Sequence, residues 1–521
     1  MTTESAETPA KRIASGYAVQ GKALELGTVV VDGEADPTAQ IRIPLATINR
    51  HGLVAGATGT GKTKTLQLIA EQLSAAGVPV LMADVKGDLS GLAQPGVANE
   101  KTAARAKDTG DNWEPTGFPV EFLSLGTGGV GVPVRATVDS FGPVLLSKVL
   151  GLNATQESTL GLIFHWAKTN RRLVTLDDLR GVISHLASDE GKADLKDLGG
   201  VSSTTAGVLL RALVNLAGEG GDTFFGEPKL DPKDLQRTNG QGQGIISLLE
   251  FSGQSLRPVI FSTFLMWLLA ELFAGLDEVG DVDKPKLVFF FDEAHLLFTD
   301  ASKAFLEQVE QTVKLIRSKG VGVFFCTQLP TDIPNDVLSQ LGARIQHALR
   351  AFTPDDQKAL SKTVRTYPKT DVYDLESALT SLGIGEAVVT VLSEKGAPTP
   401  VAWTRMRVPR SLMAAIDREA IDDAVKSSPL QAKYGQTVQQ PAQPQAGPQD
   451  QQAQPGPQPP QTQSDYPPVP SNDPVPPMLE PAEPKGPGML EQILHDPTVK
   501  SGLNTAIREI IKSLSGGRRR K

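Results

Sequence analysis

The residues Gly56 to Thr63, GATGTGKT, fit the pattern G-x-x-x-x-G-K-[ST], in which a chain's own backbone can cradle a triphosphate. Gly56, Gly59 and Gly61 permit the positive φ angles that turn successive N–H groups toward phosphate oxygens. Lys62 supplies a point charge between the β- and γ-phosphates, and Thr63 offers a hydroxyl to Mg2+. With Ala57, Thr58 and Thr60 inside the loop and Thr65 just after it, these residues form the expected nucleotide-binding set. A second cluster closes the run Leu287 to Glu293, LVFFFDE, where an apolar stretch ends in two carboxylates. Asp292 is expected to hold Mg2+ through water, and Glu293 to orient and deprotonate the attacking water. Two adjacent carboxylates point to ATP hydrolysis, and the N-K-x-D motif that reads a guanine base is absent.

Three further positions join this chemistry. Gln328 ends the next strand-like run and is placed to sense the γ-phosphate. Arg344, with Arg350 behind it, is the candidate for transition-state charge. Each arginine is read either as completing a neighbouring subunit's site or as half of a structural salt bridge. Asp84, Lys86 and Asp88 in MADVKGDLSG either support the site or form a plain charged turn.

These groups need a scaffold that brings strand ends together. Strand-like segments recur at 51–55, 79–84, 120–125, 244–249, 287–292, 321–327, 344–349 and 386–392, alternating with helical periodicity. That alternation predicts an α/β fold with a largely parallel sheet and helices on both faces, whose ligands sit at the carboxyl edge of the strands. Residues 51–141 and 241–430 make up this core. Between 142 and 240 the strand signal vanishes and SKVLGLNATQESTLGLIFHWAKT, LDDLRGVISHLAS and STTAGVLLRALVNLAGEG read as an α-helical insertion. Residues 16–50 read as a small β-rich segment packed on the edge, and 1–15 as a disordered N-terminus.

At the other end, 431–488 is Pro/Gln-rich and cannot bury enough apolar surface to offset its ordering entropy, so a disordered linker is expected. Residues 489–521 carry Val499, Leu503, Ile507, Ile510 and Leu514 on one stripe and end in a basic cluster, Arg518 to Lys521. This amphipathic helix either folds back on its own chain or docks on a partner protein.

Composition excludes several classes. With 521 residues, 40% hydrophobic and 21% charged, the chain can bury a large core. The lone cysteine, Cys326, rules out an intramolecular disulfide framework, and its apolar setting suits a reducing cytoplasmic compartment. A net charge of −8 argues against a generally basic nucleic-acid coat while leaving room for a local basic track. The N-terminus carries no apolar leader-like stretch. The most apolar stretch, 259–276, contains Glu271 and lacks basic flanks, so it is read as a buried core helix and no integral membrane segment is expected.

The segments GATGTGKT, MADVKGDLSGLA, KPKLVFFFDEAHLLF, IRSKGVGVFFCTQLPTDIPNDVLSQLGARIQHALRAFTP and GEAVVTVL, in that order, resemble the HerA–FtsK superfamily, and within it the bacterial HerA-like, YjgR-type P-loop ATPases. The resemblance covers residues 15 to 430. It implies a RecA-like ATPase core, a homo-hexameric ring with the helical insertion at its periphery, ATP and Mg2+ as cofactors, and DNA translocation through a central pore. A regulatory or scaffold ATPase acting on protein or membrane-associated partners is the alternative reading. The letters DEAH at 292–295 also occur in another helicase group, whose second-lobe motifs are absent here, so His295 is read as a coincidental match.

Overall fold

The computed structural model describes residues 8–126, 129–195, 199–250, 258–280, 282–298 and 303–435. Among them a 12-stranded sheet runs in the order β2-β1-β12-β11-β10-β3-β9-β8-β4-β7-β5-β6. The strands are β1 (Ala23–Val31), β2 (Glu34–Pro44), β3 (Gly52–Ala55), β4 (Val80–Asp84), β5 (Val120–Leu125), β6 (Val132–Val134), β7 (Ile246–Glu250), β8 (Leu287–Phe291), β9 (Val321–Thr327), β10 (Ala343–Gln346), β11 (Glu386–Thr390) and β12 (Ala402–Met406). From β10 to β6 every neighbouring pair is parallel. From β10 outward through β11, β12, β1 and β2 the pairing is antiparallel. The fold is therefore the expected α/β, largely parallel, RecA-like one, with an antiparallel wing.

The strands nearest the loop at 56–63 are buried throughout, as their continuous apolar sequences require. Alternate side chains feed two cores. Val54, Leu66, Ile69, Leu73, Met82, Phe290, Phe324 and Cys326 pack on one face, where helix Lys62–Ala75 lies. Leu53, Leu81, Leu123, Phe289, Phe291 and Phe325 face the other way. That second core continues into Leu160, Ile163, Leu179, Val182, Leu209 and Leu213 of the helices between β6 and β7. Two helices of this stretch begin on reciprocal capping boxes, Asn153 with Gln156 and Thr175 with Asp178. Helix Pro258–Gly275 buries Phe264, Leu265, Trp267, Leu268 and Leu272 in the same core. No described helix is long and apolar enough to cross a membrane.

Two boundaries move. Residues 9–15, expected to be disordered, form a helix that Thr8 caps by accepting from the Lys11 amide. Ala10 and Ile13 bury its inner face, and Tyr17 behind it donates its hydroxyl to the Val389 and Pro400 carbonyls. Short polar segments of this kind hold because one apolar stripe and one aromatic anchor reach the core. The same happens at 431–434, expected to be linker. Helix Pro429–Tyr434 buries Leu430 and Tyr434, the Tyr434 hydroxyl accepts from the Asp231 amide, and Arg135 donates to the Tyr434 carbonyl. The strands of the 16–50 segment join the main sheet through the β1–β12 pairing. Residues 1–7, the rest of the Pro/Gln-rich linker and the amphipathic helix at 489–521 lie outside the described residues.

Candidate active site

Parallel registry decides what meets at the carboxyl edge. Ala55 of β3 stands opposite Thr327 of β9, and Phe325 stands opposite Phe291 of β8. The loop at 56–63 leaves β3 and Asp292-Glu293 leaves β8, with only β9 between them. The Gly56 amide donates to the Thr327 carbonyl at 3.2 Å, and the Ala294 amide to the Cys326 carbonyl at 2.7 Å, so both turns are pinned to the same strand.

The loop itself is clamped on its other side. The Ala57 amide donates to the Ala348 carbonyl at 2.8 Å, and the Gly385 amide to the Thr60 carbonyl at 3.0 Å. Gly56 (φ 150°) and Gly61 (φ 119°) take conformations that a side chain disfavours, and a Cβ on Gly56 would meet the His347 Cβ at 2.6 Å. Thr58 and Gly59 are exposed at the tip, where phosphate would arrive. Lys62 is buried, and its ammonium donates to the Gly56 and Ala57 carbonyls at 2.7 and 3.2 Å, reaching back across the mouth of the loop. Thr63, half-buried, follows it in the first turn of helix Lys62–Ala75. The helix N-terminus aims its dipole at the same mouth.

Thr65, just after the loop, is buried, and its hydroxyl bonds Nε2 of His347 at 2.9 Å. Nδ1 of that ring lies 2.8 Å from the Glu386 carbonyl, which can only accept, so Nδ1 carries the proton and Nε2 accepts from Thr65. Burial, assisted by the charge of Lys62 and opposed by the Glu386 bond, lowers the His347 pKa to about 4. A neutral imidazole thus braces the loop from beneath. In the unfolded chain the ring takes a proton near pH 6.5. The folded state refuses it, so this site loses stability as pH falls from about 6.5 toward about 4 and is pH-independent above that window. We expect His347→Ala to weaken nucleotide affinity about tenfold, consistent with loss of about 1.4 kcal/mol of loop bracing. Calorimetric titration with ATP checks this; unchanged affinity would make the brace irrelevant. Nothing in the sequence singled out His347, because its placement depends on β10 lying beside β3.

At the acidic end Asp292 is buried, and its pKa is raised first by that burial and then by the charge of Glu293, against a hydrogen bond from the Cys326 thiol. Its Oδ2 is buried without a hydrogen-bond partner among the described residues. A hard cation would satisfy that oxygen, and with the Thr63 hydroxyl it gives the donor chemistry that Mg2+ takes in a triphosphate site. Among the described residues no group of three or more His, Cys, Asp or Glu could hold a metal ion; in a triphosphate site, phosphate oxygens and water complete the shell of Mg2+. Glu293 sits at φ 48°, a left-handed backbone that turns its buried side chain at the strand end. Its carboxylate meets the Lys86 ammonium at 2.5 Å and lies 3.4 Å from Nδ1 of His295. His295, read from the sequence as coincidental, thus stands beside the acid pair.

Lys86 arrives there on a rigid turn. The buried Asp84 carboxylate accepts from the amides of Lys86, Gly87 and Leu89 at 3.2, 2.8 and 2.9 Å. Burial, with the nearby Asp88 and Asp292 charges, raises the Asp84 pKa to about 6 despite those bonds. Gln328 is exposed immediately beyond β9, between the two turns.

Arg344 lies elsewhere. On β10 it stands opposite Leu53, three residues before Gly56, and its guanidinium donates to the Thr366 carbonyl at 3.2 Å. With Arg50, Lys314 and Arg317 it lines a cavity of about 470 Å³ at the opposite end of β3 from the loop. Among the described residues no carboxylate pairs with any of these four cations. The salt-bridge alternative for Arg344 therefore finds no partner there. Arg350 is exposed beyond β10, on the loop side of the sheet.

The sequence and the fold have counterparts. Over residues 30–521 the sequence matches the family described as helicase HerA-like, C-terminal. The chain belongs to that HerA-like family. Its fold is similar to that of the bacterial conjugative coupling protein TrwBdeltaN70, solved with sulphate, at 14% identity and a TM-score of 0.51, covering 79% of this chain and 94% of the other. The plasmid coupling protein TrwB in complex with ADP and Mg2+ gives 14% identity and a TM-score of 0.51, covering 78% and 93%. TrwB with the non-hydrolysable analogue ADPNP gives 15% and 0.50, covering 78% and 93%. No curated protein sequence matches the chain significantly. The HerA-like assignment and the TrwB-like fold agree with the resemblance read from the motifs.

Proposed function

We propose that this HerA-like chain is a Mg2+-dependent ATPase that assembles as a homo-hexameric ring and moves DNA through its pore. One observation carries the reading: the glycine loop at 56–63 and the acid pair Asp292-Glu293 follow the carboxyl ends of β3 and β8 in one parallel sheet, with β9 alone between them. The TrwB complexes with ADPNP and with ADP and Mg2+ support the choice of nucleotide and metal.

The residues divide the work as follows. Amides of 56–63 and the Lys62 ammonium bind and neutralise the phosphates. Thr63 and Asp292 would hold Mg2+, which when bound offsets charge on the β- and γ-oxygens. Glu293 orients the attacking water and takes its proton, and Gln328 contacts the γ-phosphate side. The charge that develops on the transferred group requires a further cation. Arg344 cannot supply it to its own chain's site, since the strand between Leu53 and Gly56 spans about 10 Å in the wrong direction. We infer that Arg344, together with Arg50, Lys314 and Arg317, faces a neighbour's site in the ring. The sequence offered Arg344 and Arg350 for this role; the cavity groups Arg344 with three other cations, and Arg350 lies outside it.

Mixing Arg344→Ala protein with Glu293→Gln protein should restore part of the turnover that each lacks alone, because some mixed interfaces pair an intact acid with an intact arginine. No rescue in assembled particles would leave Arg344 structural. For the substrate, duplex DNA should stimulate ATPase activity with steep salt dependence, since contacts to phosphates release counterions. A rate indifferent to any nucleic acid would favour the regulatory or scaffold reading.

A further inference from the structure

Glu293, the residue that must accept a proton from water, already has a partner. The Lys86 ammonium lies on its Oε1, and its Oε2 faces the His295 ring. A carboxylate oxygen held by an ammonium is not available to a water molecule at the same position. The two partners also differ in freedom. The Glu293 side chain is 9% exposed, whereas the Lys86 side chain is 48% exposed on a backbone anchored by Asp84. Rotation of the Lys86 stem into solvent therefore opens the pair with no movement of the sheet. The carboxylates around it are Asp84, Asp88, Asp292 and Glu293, so an anion arriving on the exposed side of the ammonium would compete with them for it.

We propose that Lys86 is a positioning residue that holds Glu293 idle, and that a phosphodiester group of bound nucleic acid draws the ammonium away and frees the carboxylate for water. This rests on the function proposed above. It couples hydrolysis to occupancy of the motor by its track, since an empty ring would keep Glu293 engaged by Lys86. The reading uses Lys86 as a hydrogen-bond competitor and leaves nucleotide binding to the loop at 56–63.

Steady-state ATPase of the full chain tests it, with wild type, Lys86→Met, Lys86→Arg and Lys62→Ala assayed with and without a defined DNA duplex. Lys86→Met should raise the DNA-free kcat about fivefold or more, leave KM for ATP within about twofold, and abolish further stimulation by DNA. Lys86→Arg, which keeps the cation, should restore a low DNA-free rate and the response to DNA. A Lys86→Met rate equal to or below wild type would overturn the hold on Glu293. A raised rate that DNA still multiplies would overturn the phosphodiester as the releasing anion. Failure of the nucleotide-site reading is separate and visible in the same experiment, as undiminished turnover by Lys62→Ala.

Discussion

Lys62→Ala should leave the fold intact and remove ATP turnover. The wild-type ammonium bonds the Gly56 and Ala57 carbonyls inside the loop, so it is already positioned where the β- and γ-phosphates would sit. Charge-assisted bonds contribute about 1.5–3 kcal/mol each, and loss of one group that stabilises developing charge lowers rates by about 10²–10³-fold. We therefore expect nucleotide affinity to fall at least tenfold and turnover to drop below detection over background. Stability should change little, because the backbone of the loop is also held by the bonds of the Gly56 and Ala57 amides and of the Thr60 carbonyl. Fluorescent-nucleotide titration with a phosphate-release assay checks both halves. Full turnover would mean that the loop at 56–63 is not the phosphate site.

Glu293→Gln should separate binding from chemistry. The amide keeps the shape of the carboxylate and loses its capacity to take a proton, and a positioned general base contributes about 10²–10⁴-fold. The variant should bind ATP with near wild-type affinity and hydrolyse it at least about a hundredfold more slowly. Because the loop is held by β9, β10 and the Gly385 amide and not by Glu293, the binding half should survive. Equal loss of binding and hydrolysis would instead make Glu293 part of the structural frame, and normal hydrolysis would move the base elsewhere.

Much of this was legible because the chemistry sits in contiguous motifs. GATGTGKT and LVFFFDE declare a turn, a buried strand and a charge pattern within a few residues. Buried parallel strands such as β8 and β9 also announce themselves by unbroken apolar runs. What sequence could not supply were relations between distant segments. His347 acquires its role only because β10 pairs with β3, which puts the ring under Gly56 and within reach of Thr65. Arg50, Lys314, Arg317 and Arg344 come from four separate elements, and their clustering follows from how the chain packs around β3 and β10. The Lys86–Glu293 pair joins residues 207 positions apart. Ile13 with Tyr17, and Leu430 with Tyr434, anchor short helices in segments whose composition otherwise reads as tail or linker.

The account depends on a triphosphate lying over the loop at 56–63 with its metal turned toward Asp292. The most direct test is a crystal structure of Glu293→Gln protein with ATP and Mn2+ in place of Mg2+, located by anomalous scattering. The predicted result is one strong metal peak between the Thr63 hydroxyl and the Asp292 carboxylate, with phosphate oxygens on the amides of 56–63. A nucleotide bound elsewhere, or a metal that approaches neither Thr63 nor Asp292, would contradict it.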